Sequence, residues 1–306
     1  MSVRSRAGAV ASLALTAFLF HCSTATTAPV DVPAPKPVLT KEESEKPATC
    51  ADSWVSVAVG KVATDTGDSV EGALVGYCVK SERNTCLAPI KSEKGGWYTY
   101  RIDGDKRCVK EIVARAEAPE GSVGKYSVAY CPIPTSAQGG LLEVSTKLVL
   151  YTLEAPAAPA TAARTAVKFP SGVELTFAPD DLLEKEMAGK IGAKMVDLAS
   201  PPCFVKASDA LSMLVVFGPD VNVKLFYDKP KIDFKIPNTA KLAEGSKVDL
   251  LLLGGFQTFL TKDSTEVVEE GSFLPYGTGT VKGGFIVPDP GSELPALTAV
   301  GIRPKK

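Results

Sequence analysis

Residues 53–64 read SWVSVAVGKVAT. Val55, Val57 and Val59 fall on one side of an extended chain, and Ser56, Ala58 and Gly60 on the other. That period of two predicts a half-buried β-strand. Working outward, Asp65-Thr66-Gly67-Asp68 is a turn, and residues 70–80, VEGALVGYCVK, resume the strand pattern. Gly95-Gly96 breaks the chain ahead of residues 97–102, WYTYRI. Residues 108–116 (CVKEIVARA), 126–131 (YSVAYC) and 143–153 (EVSTKLVLYTL) complete a unit expected to span residues 50–153. Short strands at regular spacing, separated by Gly and Asp turns, argue for a β-sandwich.

Within this unit, Gly60-x-Val62, Asp65-x-Gly67, Val70-x-Gly72-Ala73-x-Val75, Gly96-Trp97-Tyr98 and Tyr100 resemble the carboxypeptidase regulatory-like domain. The resemblance covers residues 54–116. It implies a small prealbumin-like or Ig-like β-sandwich, common in exported bacterial proteins, and is almost silent on function. The glycines also have a physical reading: Gly67 suits a hairpin turn, and Gly72 a bulge or a close backbone approach.

Residues 154–164 contain APAAPATAAR and mark a linker of small residues and proline. Residues 165–306 form a second unit. Residues 166–177 read as strand, Pro-Ser-Gly turn, strand, and Asp181 stands three residues before Glu184 in capping-box spacing that predicts one short helix carrying Met187 and Ile191. Strands are expected at 221–227, 231–236, 247–253, 270–276, 279–287 and 294–302, with 211–217 a buried strand or a helix end. FPSGVELTF at 169–177, Ile236-Pro237-Asn238 and EGSKVDLLLL at 244–253 are similar to ZU5-like β-sandwich domains, which in that family mediate protein contacts. The expected architecture is all-β: two tandem β-sandwich domains after a signal peptide and a Pro-rich tether.

The N-terminus says where the chain goes. Arg4 and Arg6 precede the apolar stretch AGAVASLALTAFLFHC at residues 7–22, followed by Ser, Thr, Ala and Pro. A positive start, an apolar run of about 14 residues and small residues after it form an export signal, and the run is shorter than the roughly 20 residues of a membrane span. Leu19-Phe20-His21-Cys22 resembles the lipobox of bacterial lipoproteins, although His21 stands where that family has a small residue. The resemblance implies removal of residues 1–21 and a lipid on Cys22, hence a membrane partner and a place in the bacterial cell envelope, the outer membrane in particular. The alternative is an ordinary secretory signal cut after Ala25 or Ala28. Residues 22–49 carry five prolines and few apolar residues, and read as a semi-extended tether of about 3.1 Å per residue.

Composition excludes several functions. The net charge of −1, which becomes −3 once Arg4 and Arg6 are removed, provides no field for nucleic acid. The one histidine, His21, lies in the signal, so the exported chain lacks Ser-His-Asp, Cys-His and His-metal chemistry. No catalytic residue, metal site or cofactor is expected. Ser69 and the Ser122-x-x-Lys125 stretch read as turn residues, and Asp103-Gly104-Asp105 and Asp180-Asp181 lack the further ligands of a calcium loop. Six cysteines remain beyond Cys22: Cys50, Cys78, Cys86, Cys108, Cys131 and Cys203. An even number in an exported protein predicts disulfides in one of fifteen pairings. Cys78 and Cys86 are the best pair, closing KSERNT. Cys203 is the only one in the second half, so either one bridge joins the halves or two thiols stay free.

Trp97 faces away from Tyr98 and Tyr100 on one strand, so one of the two sets is core. If the tyrosines face outward, they form a ligand-binding surface for sugar rings. These readings converge on a non-enzymatic envelope lipoprotein acting as a binding or structural module, its partner an envelope protein or a polysaccharide. A secreted or surface carbohydrate-binding module is the alternative. A carboxylate-only hydrolase would need two acids facing across a cleft.

Overall fold

A computed structural model describes residues 32–48, 50, 53–80, 85–109, 111–135, 139–161, 163–223, 232–256, 258 and 268–305. The signal, Cys22, most of KSERNT and the expected strand beyond Val223 lie outside these residues. The protein is all-β, and the described residues fall within one compact unit.

The first half forms a two-layer sandwich. Its strands are β1 (Val57–Thr64), β2 (Leu74–Lys80), β3 (Thr85–Cys86), β4 (Ile90–Lys91), β5 (Trp97–Arg101), β6 (Glu111–Glu117), β7 (Ala129–Ile133), β8 (Leu141–Glu143) and β9 (Leu148–Leu150). One sheet runs β5-β1-β8, with β9 also on β1; the other runs β3-β2-β6-β7, with β4 also on β2. Between them lie Ala58 and Val62 of β1, Tyr77 of β2, Tyr98 and Tyr100 of β5, and Ile112, Ala114 and Ala116 of β6. The face of β1 that carries Ala58 and Gly60 is therefore the inner one. Small residues there leave room for tyrosines: the Tyr98 ring lies where a Cβ on Gly60 would sit. Tyr77 stacks on Tyr100 at 4.6 Å, and the Tyr77 hydroxyl donates to the Tyr98 oxygen at 3.1 Å.

β1 is buried on both faces, not one. Val57 and Val59 pair with Arg101 and Thr99 and share their outward face. That face is covered by residues 32–48, which the sequence presents as a tether. Trp97 Nε1 donates to the Val32 carbonyl at 2.7 Å. A four-residue helix, α1 (Lys41–Ser44), is closed by a capping box between Thr40 and Glu43. Glu43 is buried and paired with Arg101, and the buried Arg107 reaches both the Glu42 carbonyl (3.1 Å) and the Glu42 carboxylate (3.2 Å). The Cys50–Cys108 bridge fastens the arm's end. Proline and polar residues cannot build their own core, but they can lie across one that already exists.

Among the described residues, the second half is a single nine-stranded sheet. Its strands are β10 (Thr165–Lys168), β11 (Glu174–Phe177), β12 (Gly192–Val196), β13 (Met213–Asn222), β14 (Asp233–Pro237), β15 (Lys247–Leu253), β16 (Phe273–Lys282), β17 (Phe285–Pro288) and β18 (Ala296–Pro304). Their order is β10-β11-β14-β17-β16-β15-β18-β13-β12. The sheet folds over at β14, whose first residues pair with β11 and last residues with β17. Its two limbs then face each other across one core, with Leu175, Phe177, Val215, Phe217, Phe234 and Leu250 among its members. β15 lies between β16 and β18, the central place its apolar run predicts. The expected helix after Asp181 is absent; Pro179–Asp181 and Lys185–Lys190 are 3-10 turns instead. Asp181 accepts from the Ala178 N–H at 2.8 Å and from Arg164 at 2.7 Å, so it closes the preceding turn rather than starting a helix.

The halves share a third apolar cluster. Val113, Tyr130, Tyr151 and Leu153 of the first pack with Phe204, Leu214, Val216 and Leu253 of the second. Lys194 pairs with Asp65 across the join. Cys131–Cys203 closes it covalently, and Glu154 of the linker pairs with Ala193.

Candidate functional site

β6 and β7 give their inner faces to the first core, so their outer faces must be covered by something else. On β6 the outward positions include Arg115 and Glu117; on β7 and the chain leading into it they are Tyr126, Val128 and Tyr130. They face β13, whose ladder with β18 is interrupted between Val216 and Val221. Gly218-Pro219-Asp220 forms that bulge, and a bulge re-aims side chains. Val221 points into the second core, which places its neighbours Asp220 and Asn222 together on the opposite face.

The outer faces enclose a cavity of about 330 Å³, at the lower end of the range for small-molecule sites. Arg115, Glu117, Tyr126 and Tyr130 line one wall, and Glu184, Met187, Asp220 and Asn222 the other. Phe256 lies across the mouth with the Arg115 guanidinium 4.5 Å from its ring centre. At the rim, Gly124 adopts φ +85° with its backbone directly against the Lys190 carbonyl, where a side chain would not fit.

Asp220 is the chemical centre of the cleft. Its Oδ2 accepts from the Tyr130 hydroxyl and from the Phe256 N–H at 3.2 Å. Among the described residues, its Oδ1 is buried without a hydrogen-bond partner, and the same is true of Asn222 Oδ1. Asp220 is half-buried and lines the cavity, yet the protein around it still strips water from its carboxyl. That desolvation pushes it up from the ordinary 3.8 to about 6, against the opposing hydrogen bonds from Tyr130 and Phe256. Desolvation, followed by the nearby Asp220 charge, likewise raises the Tyr130 hydroxyl well above 10, so it stays a donor. Arg115 is already engaged by Glu117 at 2.8 Å.

Among the described residues, the exposed large apolar side chains are Val38, Val123, Leu183 and Phe256. Val123 and Phe256 line this cavity; Leu183 sits at its edge, its N–H donating to the Asn222 carbonyl at 3.0 Å. Exposed apolar side chains therefore stand beside one polar cleft.

The residues singled out from sequence lie elsewhere. Tyr98 and Tyr100 are 1% and 3% exposed and belong to the first core, so no sugar ring can stack on them; the outward residue is Trp97, covered by the arm. Burial pushes both tyrosine hydroxyls up to about 12, so both stay neutral; Tyr98 accepts from Tyr77 and Tyr100 donates to the Ala88 carbonyl. The cysteines pair as Cys50–Cys108, Cys78–Cys86 and Cys131–Cys203. Cys78 and Cys86 are opposite one another on β2 and β3. Glu270 approaches that pair closely enough for a three-ligand metal group, but two sulfurs joined to each other are not thiolate ligands. Ser122 and Lys125 lie in a tight loop in which the Lys125 N–H donates to the Ser122 carbonyl, and Asp103 pairs with Lys106. Cys22 lies outside the described residues. Sequence reading missed the cleft; Gly-Pro-Asp inside the apolar run of β13 was the available signal, because those residues interrupt a strand. No family model, no curated protein and no solved structure matches the chain.

Proposed function

We propose that this protein is a non-enzymatic lipoprotein of the bacterial cell envelope, anchored through Cys22, that acts as a binding module through the cleft between its two halves. The supporting observation is the disulfide set. The six cysteines beyond Cys22 pair among themselves, which suits an oxidising compartment and accounts for every cysteine but the one in the lipobox-like sequence. The resemblance of the second half to ZU5-like domains agrees with a contact role. The test is growth with radiolabelled palmitate. Label on the wild type and none on Cys22→Ser is expected. Unlabelled protein in the medium, starting near Thr26 or Pro29, would overturn the anchor.

A carboxylate-only hydrolase is the second reading. It is favoured by Asp220, an acid held at about 6 in a cleft that also contains Glu117 and Glu184. Turnover of aryl glycosides that disappears in Asp220→Asn would promote it above the first. The carbohydrate-binding alternative has lost the tyrosines it relied on.

A further inference from the structure

We infer that Cys78, Cys86 and Glu270 form a redox-gated site for a divalent metal ion of the zinc type. A dithiol reductant opens the Cys78–Cys86 bridge, and the two thiolates and the carboxylate then ligate the ion. The inference is independent of the cleft and goes beyond the reading of the protein as a contact module.

Three observations carry it. The first is where the cysteines stand. Cys78 and Cys86 are directly opposite on β2 and β3, and β6 holds β2 along its whole length. The sulfurs therefore remain neighbours when the bond between them is broken. Cβ atoms across a disulfide are about 3.8 Å apart, so two thiolates turned parallel about their Cα–Cβ bonds take that spacing with no movement of the backbone. Zinc binds thiolate at about 2.3 Å and carboxylate at about 2.0–2.2 Å in a tetrahedron, whose edges are then about 3.6–3.8 Å.

The second is the carboxylate. Glu270 belongs to the other half of the protein, 184 residues from Cys86, yet its Oε2 lies 3.7 Å from Cys86 Sγ, the length of one such edge. The three ligand atoms all lie within 4.8 Å of one another. A disulfide sulfur has no proton to donate, so this approach is not a hydrogen bond in the oxidised protein. The backbone around Glu270 is fixed: it bridges to Gly254, and the next N–H, that of Gly271, donates to the Gly254 carbonyl at 2.9 Å. Gly271 lies close against β6, where a Cβ would come 3.1 Å from Val113, the residue paired with Cys78.

The third is access. Cys86 is exposed, whereas Cys50 and Cys131, one in each of the other bridges, are buried. Cys78–Cys86 also closes the shortest loop, with a separation of 8 against 58 and 72, and so gains least from chain entropy. It is the bridge a reductant opens first, while the other two still hold the arm and the join.

The donor set selects the ion. Two thiolates and one carboxylate suit zinc, whereas calcium and magnesium take oxygen. The dithiol gives two electrons and two protons to the bridge and becomes a disulfide itself; the ion then displaces both thiol protons to solvent, and water takes the fourth position.

The test is reduction of the purified exported protein with dithiothreitol, removal of the reductant under nitrogen, and titration with zinc chloride, with cobalt chloride as the spectroscopic probe. Alkylation and peptide mapping should find Cys78 and Cys86 labelled before the other four. One zinc per chain on the reduced protein and none on the oxidised protein is expected, and cobalt should give the near-ultraviolet absorption of thiolate charge transfer. Glu270→Gln should weaken zinc binding by about tenfold or more. Cys78→Ser combined with Cys86→Ser should abolish it. Circular dichroism of the reduced protein and of both variants establishes that they fold. Earlier opening of either other bridge, no zinc uptake after reduction, equal uptake by the oxidised protein, or zinc binding retained in the double serine variant would each overturn the inference. Unchanged affinity in Glu270→Gln would remove the third ligand and overturn the site as assigned.

Discussion

Replacing Asp220 with Asn should make the protein more stable at neutral pH. The folded carboxyl titrates at about 6, against an ordinary 3.8. Each pH unit between those values is worth about 1.4 kcal/mol, so keeping the charge in the fold above pH 6 costs about 3 kcal/mol. The sign follows from proton counts. Between about 4 and 6 the folded state binds the proton and the unfolded state does not, so stability falls as pH rises through that window and levels off above it. Asn removes the charge and keeps an acceptor for Tyr130 and the Phe256 N–H. Its amide nitrogen takes the place of Oδ1, where no partner waits, and that costs about 1 kcal/mol. The net gain is about 1–2 kcal/mol at pH 8, changing to a loss of about 1 kcal/mol at pH 4, where the wild-type carboxyl is already neutral. Tyr130 hydrogen-bonds the carboxyl, Arg115 and Glu117 act on it through space, and Glu184 shares the cavity; all four are retained in the variant. Urea denaturation of wild type and variant at pH 4, 6 and 8 provides the comparison. A variant no more stable than wild type at pH 8, or one that keeps the fall between pH 4 and 6, refutes the reasoning.

Three further outcomes follow from the fold. Gly60→Ala places a Cβ inside the Tyr98 ring, so it should destabilise by about 2–3 kcal/mol in urea titration rather than gain the several tenths that alanine normally brings to a strand; unchanged stability would mean that the ring does not lie on Gly60. Asp289 is held at about 2, first by the Thr280 hydroxyl and then by Lys247 and Thr278, so it should contribute stability above pH 4 that is lost between about 4 and 2. The full difference from 3.8 is about 2.4 kcal/mol, but Lys247 is 54% exposed and screening leaves about 1 kcal/mol; Asp289→Asn should cost that at pH 7 and nothing at pH 2 in chemical denaturation. Arg101→Ala removes the partner that, with the Thr40 N–H, lowers the Glu43 carboxyl, and limited proteolysis should then cut within residues 32–48 while the sandwich stays intact; equal resistance in both proteins would show that the arm is held without that pair.

The strands were legible because period two and turn glycines are local. Residues 57–64 of the run at 53–64, the tyrosine strand and the apolar run at 247–253 all lie in strands. What covers a face is not local. Trp97 and Arg101 give no sign that Val32 and Glu43 will partner them, because the arm's own composition only says that it cannot fold alone. Arg115 and Glu117 alternate with Ala114 and Ala116 and look like residues bound for solvent; that their face meets Asp220 and Asn222 depends on how two sheets dock, over a separation of about a hundred residues. The choice between Trp97 and the tyrosines depends on register: Tyr98 lies opposite Gly60, which leaves room for its ring, and that pairing is not local.

The bridges also determine how the molecule carries force. A pull on the N-terminal arm enters at Cys50, crosses to Cys108, runs through β6 and β7 to Cys131 and crosses again to Cys203 before reaching β13 and β18. The two loops closed on that route, with sequence separations of 58 and 72, remain slack, and the Ala- and Pro-rich linker lies inside the second. A protease nick in that linker would leave one covalent molecule. Tension applied between the arm and the C-terminal strands therefore bypasses the linker.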